Sequence, residues 1–342
     1  TSLGRMTRKS PVGAFESFGN SRFISIGGWI NAIIPILIVP YYSVIGGWVI
    51  KYLIEYFAGH SKTLAGDAYF TTFISNGWST EICFIIFTLF TLGIIYAGVR
   101  NGIERVSKFM MPILIVLSLI IAVYSVTRPG AIEGVKYFLV PNFDHFSWMT
   151  VVSAMGQMFY SLSIAMGILI TFGSYMKKDT SIEKSTENVE IFDTAIAIMA
   201  VLMIIPAVFA FSGGNAETLK SGPALMFITI PKVFANMGFG TAIGVVFFLL
   251  VLFAAVTSSI ALTESAVSTF EDELHWSRKK STVFMGMVML LLGTLSCLGY
   301  GPLANFKILG MQFLDFFDFI TNSVMMPIAA IATTIIDRKS VV

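Results

Sequence analysis

The sequence predicts an all-helical protein embedded in a membrane, and three observations carry that prediction. Among 342 residues 56% are hydrophobic and 12% charged, whereas soluble domains carry about 25% charged residues. Mean hydropathy is +0.81. Cutting the chain at Asp, Glu, Lys, Arg and His leaves eight long runs, 23–50, 82–99, 109–127, 146–176, 194–216, 233–263, 281–306 and 319–336. Each falls in the length range that spans a bilayer, about 20 residues. Hydrocarbon offers the backbone no hydrogen bonds, and no run shows the ten-residue alternation of a barrel strand, so each reads as a helix.

Taken in order, the chain opens on a polar stretch with Arg5, Arg8 and Lys9 that is no signal peptide, and the opening Thr1 predicts a natural start further upstream. The first run carries Tyr41 and Tyr42 directly after Pro40. A buried tyrosine hydroxyl wants a partner, which here is either a ligand carboxylate or a neighbouring carbonyl. The second run holds Cys83 and the seventh Cys297; both read as buried apolar fillers, with neither a disulfide framework nor a metal site. In the fourth run, glycines flank two serines in Gly156-Gln157-Met158-Phe159-Tyr160-Ser161-Leu162-Ser163-Ile164-Ala165-Met166-Gly167. Such residues serve close helix packing, the reading that spacing alone favours, or a helix broken to expose its ends to a ligand.

The fifth run is preceded by Asp193, nine residues past Lys184, or about 14 Å along a helix. An acid at that depth marks an ion or proton site, unless the helix begins later and Asp193 caps it. Between the fifth and sixth runs, the stretch 224–235 is too short and too interrupted by Pro231 to cross, and reads as a re-entrant or surface-lying cap. The sixth run places Ala254, Thr257, Ser258 and Ala261 on one helix face, a stripe suited to close packing or to the hard oxygen ligands of sodium. Glu264, seven residues beyond Thr257, faces an inner water path or the headgroups. Of 22 basic residues, 15 fall on one side of the alternating spans and seven on the other, so the first side, with both chain ends, is predicted cytoplasmic in a plasma membrane.

The net charge of +2 points to neither nucleic acid nor an acidic partner. His60, His145 and His275 all fall in loops, so no buried nucleophile or metal cluster supports an enzyme. A homo-oligomer is compatible with the sequence, which does not set the oligomeric state.

Several stretches together resemble the neurotransmitter:sodium symporter family, specifically its bacterial amino-acid transporters. They are the 156–167 segment, Thr257-Ser258-Ser259-Ile260-Ala261, Phe270-Glu271-Asp272-Glu273-Leu274 followed by Ser277-Arg278-Lys279, Gly102-Ile103-Glu104-Arg105 with Met111-Pro112, Pro141-Asn142-Phe143, and Leu314-Asp315 to Phe319. The resemblance implies an inverted-repeat, leucine-transporter-like fold in one transporter domain over 1–342, with the runs corresponding to helices three to ten of 11 or 12. The first two helices and at least one last helix are then absent.

It further implies that Ser161 and Asp193 are ligands of one sodium site, at the family's 32-residue spacing, and Ala254, Thr257 and Ser258 half of a second. Many relatives have Asn where this chain has Asp193; an acid there is similar to members that need no chloride. Tyr42 looks like the tyrosine bonding a substrate carboxylate. Ile38, Tyr160, Ser161, Ser163, Met166, Ser258 and Leu262 look like the rest of the substrate pocket, Tyr160 as its lid. Asp318 resembles the acid of an outer gate, and Asp272 and Tyr175 inner-gate residues. The implied activity is symport of a neutral, apolar amino acid with sodium by alternating access, with sodium and the bilayer as partners and no organic cofactor. The rival readings are a cation-coupled permease of another family with the same fold, and a nonfunctional truncated product.

Overall fold

The computed structural model describes residues 1–19, 21–141, 143, 146–214 and 222–340. Asn142 of the Pro141-Asn142-Phe143 motif, His145, and positions 215–221 of the outer loop lie outside the described residues. Among those residues seven helices are long and apolar enough to cross a membrane. In chain order the elements are α1 Ser2–Thr7, α2 Pro11–Glu16, α3 Arg22–Phe57, α4 Ser61–Leu64, α5 Tyr69–Ser75, α6 Gly77–Tyr96, α7 Arg105–Val126, α8 Ala131–Leu139, α9 Trp148–Ser161 and α10 Ile168–Tyr175. They continue as α11 Ile182–Ser212, α12 Gly222–Ala224, α13 Ile230–Ala235, α14 Gly240–Leu274, α15 Arg278–Leu298, α16 Phe313–Asp318 and α17 Met326–Ser340. Single π-helical turns join α6 to α7 (Val99–Glu104), α12 to α13 (Leu225–Thr229) and α16 to α17 (Phe319–Met325).

The centre is built on the two longest helices, α3 with 36 residues and α14 with 35, packed along each other. At 1.5 Å rise each is about 50 Å long, well beyond a hydrocarbon core of about 30 Å, so their ends protrude. With α6, α7 and α15 packed around them, they share one continuous apolar core. Small residues permit that closeness, since association in lipid gains little from hydrophobic exclusion and depends on contact. A Cβ on Gly47 of α3 would lie 2.6 Å from the backbone nitrogen of Phe84 on α6. At the opposite end, α1 and α10 meet backbone to backbone: a Cβ on Gly4 would overlap the Ile170 carbonyl oxygen. Arg5 of α1 and Arg8, its C-cap, donate to the carbonyls of Lys178, Thr180, Ser174 and Met176 at and just after the end of α10.

The stretch 224–235 does not cross. It folds as short helices over the protruding end of α3, where Phe227 stacks on Phe70 at 5.2 Å and meets Tyr52 at 5.0 Å. The Tyr52 hydroxyl donates to the Phe227 carbonyl at 2.7 Å, so the cap is bonded down as well as packed. Cys83 and Cys297 are both buried and unpaired.

The structure corrects the sequence reading at the fourth run. Residues 146–176 do not form one spanning helix; α9 and α10 are separate half-helices with 162–167 unwound between them. Close packing was the reading that spacing favoured, and the backbone instead shows the break.

Candidate functional site: a broken helix facing a hydroxyl stripe

Three residues of the break take left-handed backbone, Ser163 at φ 54°, Ala165 at 63° and Gly167 at 71°. Left-handed backbone costs a non-glycine residue of order 1–2 kcal/mol, so this segment is held by its surroundings. Only glycine fits at 167, because a Cβ would sit 2.8 Å from the Asn31 carbonyl oxygen and 2.7 Å from Pro11. At the end of α9 the carbonyls of Met158, Phe159 and Tyr160 each take one amide of the following turn, from Leu162, Ile164 and Ser163, and keep one lone pair, while α10 starts with amides that have no helical acceptor. Opposite partial charges thus face one small volume.

That volume is a cavity of about 470 Å³. All eight residues expected at the substrate pocket line it: Ile38 and Tyr42 from α3, Tyr160 and Ser161 from α9, Ser163 and Met166 from the break, and Ser258 and Leu262 from α14. Five further residues line it, Met111, Gln157, Ile168, Thr257 and Ala261. Thr257 had been assigned to ion binding only, and Gln157 lies one helical turn before Ser161, a spacing that would have found it. Met111 comes from α7 and leaves no periodic signal in the sequence. No lining residue is charged.

Of the five expected sodium ligands, Ser161, Thr257 and Ser258 line the cavity, and Asp193 joins it through Ser161. The Ser161 Oγ donates to the Asp193 Oδ1 at 2.5 Å, across the predicted 32 residues. Because α11 begins at Ile182 behind an N-cap at Ser181, Asp193 stands in the body of that helix, and the alternative that it caps a later start falls away. Thr257 Oγ1 shares its proton between the carbonyls of Phe253, at 3.1 Å, and Ala254, at 3.0 Å. Its lone pairs are left for the cavity. Ala254 itself does not line the cavity. The Tyr42 hydroxyl interacts with the Ser258 side chain.

Above and below, the gate candidates have found partners. Asp318 accepts from the Tyr41 hydroxyl at 3.1 Å and from Asn322 Nδ2 at 2.5 Å. Tyr175 and Asp272 hold different partners: Asp272 accepts from the Ser10 backbone amide at 2.6 Å, while the Tyr175 hydroxyl donates to Glu264 at 2.7 Å. Glu264 neither lines an open path nor reaches the headgroups. It is 0% exposed and accepts both arms of the Arg278 guanidinium, Nη2 at 2.5 Å and Nη1 at 3.1 Å. A fork of two charge-assisted bonds is among the stronger polar contacts. The Arg278 Nε donates to the Ile95 carbonyl at 2.9 Å, so a single side chain ties α6, α14, α15 and, through Glu264, α10. Sequence reasoning counted Arg278 among the basic residues and in the Ser277-Arg278-Lys279 stretch, without giving it a partner.

A helix unwound inside a bundle of spanning helices, facing a hydroxyl stripe and an acid within a neighbouring span, is the architecture of an ion-coupled membrane transporter. Comparison with known proteins agrees. The profile of the sodium:neurotransmitter symporter family matches residues 54–338. A sodium-dependent transporter of Bacillus subtilis is 33% identical over 332 residues, covering 96% of this chain and 73% of its own length. The sodium-dependent dopamine transporter of Bos taurus is 23% identical, covering 90% of this chain and 51% of its own. The crystal structure of MhsT in complex with L-phenylalanine superposes with a TM-score of 0.84 at 34% identity, covering 97% of this chain and 75% of that one.

The chain belongs to the sodium:neurotransmitter symporter family. It has the inverted-repeat, leucine-transporter-like fold, and it is an integral membrane, sodium-dependent transporter rather than an enzyme.

Proposed function

We propose that this chain carries a neutral, apolar amino acid by sodium-coupled symport with alternating access, and that the 470 Å³ cavity at the break is its substrate site. The observation that carries the reading is convergence: every expected pocket residue lines one cavity that adjoins the Ser161–Asp193 pair. Its size suits one small ligand. A lining with no charged side chain favours a substrate of zero net charge, whose carboxylate and ammonium are met by polar groups and helix ends. The Tyr42 hydroxyl is the donor for the carboxylate, and the carbonyls ending α9 receive the ammonium. Ile38, Met166 and Leu262 take the side chain, Met166 adding a flexible thioether that adapts to several apolar shapes. Tyr160 closes over the ligand.

In this reading, sodium sits in two places. Ser161 and Asp193 supply oxygens at one, and the lone pairs of Thr257 and Ser258 with the Ala254 carbonyl at the other, hard ligands for a hard cation. The Asp193 carboxylate supplies negative charge and makes chloride dispensable. Asp318 serves the outer gate, and Tyr175 and Asp272 the inner. The basic face is cytoplasmic. A main apolar core with a smaller cluster of Leu3, Ala14, Phe15, Ile24, Ile170, Ala332 and Ile336 beside it supports residues 1–342 acting within a single transporter domain.

MhsT was solved with L-phenylalanine, which makes labelled phenylalanine the first probe. Uptake into proteoliposomes should follow an inward sodium gradient, and other neutral apolar amino acids should compete. Tyr42→Phe removes a bond to a charged group, worth about 1.5–3 kcal/mol, and should raise KM roughly tenfold or more. It should also abolish the preference for phenylalanine over phenethylamine, which lacks the carboxylate. Equal uptake in choline, or an unchanged KM in Tyr42→Phe, would contradict the assignment.

A further inference from the structure

The triplet Arg278-Lys279-Lys280 opens α15, and a helix turns about 100° per residue, so its three cations cannot share one direction. Arg278 turns inward to Glu264 and Glu271. Lys279 and Lys280 stay exposed, and neither makes an ion pair among the described residues. Their ammonium groups rest instead on aromatic faces, Lys280 4.0 Å from the Trp276 ring centroid and Lys279 5.7 Å from that of Tyr96. Beneath them runs a groove of about 420 Å³ lined by Trp276, Val283, Phe284 and Met287. Val283, Met287 and Leu291 follow Lys279 at successive four-residue steps and are 58%, 57% and 68% exposed. From Lys279 to Leu291 is about 18 Å along the helix, close to the depth of one leaflet, about 15 Å.

We infer that this groove seats an anionic phospholipid, with its headgroup phosphate between Lys279 and Lys280 and one acyl chain laid along Val283, Met287 and Leu291. Two unpaired cations at headgroup height select the charge, and an apolar strip one leaflet long takes the chain. Trp276 marks the interface level, where its ring is half apolar and half wet. The seat lies outside the substrate cavity, yet its lysines directly follow Arg278, so an occupant would bear on the side chain that joins α15 to Glu264.

Native mass spectrometry of the purified chain, with phosphatidylglycerol or phosphatidylcholine of identical acyl chains added, tests this directly. Wild type should retain phosphatidylglycerol preferentially. The double variant Lys279→Gln/Lys280→Gln should lose about 25-fold in apparent affinity, since each lysine near a headgroup contributes on the order of a fivefold factor. Lys108→Gln is the control, because Lys108 is on the same basic face but already paired with Glu104 at 2.6 Å; it should leave retention unchanged. Equal retention of the two lipids by wild type, an unchanged preference in the double variant, or the same loss in Lys108→Gln would overturn the assignment. Displacement of the lipid by equimolar glycerol phosphate would also overturn it, because the headgroup alone would then account for binding.

Discussion

Replacing Arg278 with methionine is expected to lower the thermal stability of the protein more than any other single substitution at its inner face. Glu264 is 0% exposed and Arg278 only 21%, and the arginine is the one cation bonded to that carboxylate among the described residues. Removing one partner of a buried pair leaves an uncompensated buried charge, at a cost of about 3–5 kcal/mol. Tyr175 donates one hydrogen bond to Glu264 and cannot neutralise it. The double variant Glu264→Gln/Arg278→Met removes both charges and should recover most of the loss, because a buried ion pair replaced as a unit is often close to neutral. Melting followed in detergent separates the two outcomes. A single variant as stable as wild type would mean that the carboxylate is neutral or finds another cation. Tyr175→Phe should cost less in stability, but because it removes one of the side-chain hydrogen bonds between α10 and α14, leaving those of Thr171 to Ser265 and Ser268, it should shift the protein toward states open at that face.

The largest functional effect is expected at Asp193. Its carboxylate stands in the body of α11 and holds the Ser161 hydroxyl at 2.5 Å. If those two groups complete a sodium site, Asp193→Ala removes both a ligand and the charge that offsets the ion. Sodium-dependent substrate binding should then weaken at least tenfold, within the typical range of coupling between sites. Asp193→Asn keeps an oxygen ligand without the charge and should fall between the two, with chloride recovering part of the difference. Sodium dependence unchanged in Asp193→Ala would remove this residue from the ion site.

The spanning helices were legible because hydrocarbon imposes long uncharged runs, and that constraint is written in composition. Depth along a helix likewise located Asp193 without any contact information. The break at 162–167 was not legible from spacing, because two of its three left-handed residues, Ser163 and Ala165, are ordinary helix residues by type. The need for glycine at 167 comes from Asn31 and Pro11, which lie far away in sequence. Resemblance to relatives supplied the pocket membership that periodicity could not, yet it missed Met111, which faces the cavity from α7. The Glu264–Arg278 pair escaped for a similar reason: it closes across a helix end, 14 residues apart, where neither helical nor strand spacing applies.

In the proposed mechanism an amino acid and sodium bind the broken-helix cavity together. Equilibrium binding of labelled phenylalanine to the purified protein, measured as sodium replaces potassium at constant ionic strength, tests it most directly. Saturating sodium should tighten phenylalanine binding at least tenfold, and saturating phenylalanine should tighten sodium by the same factor, as linkage requires. Equal phenylalanine affinity in sodium and in potassium would contradict it.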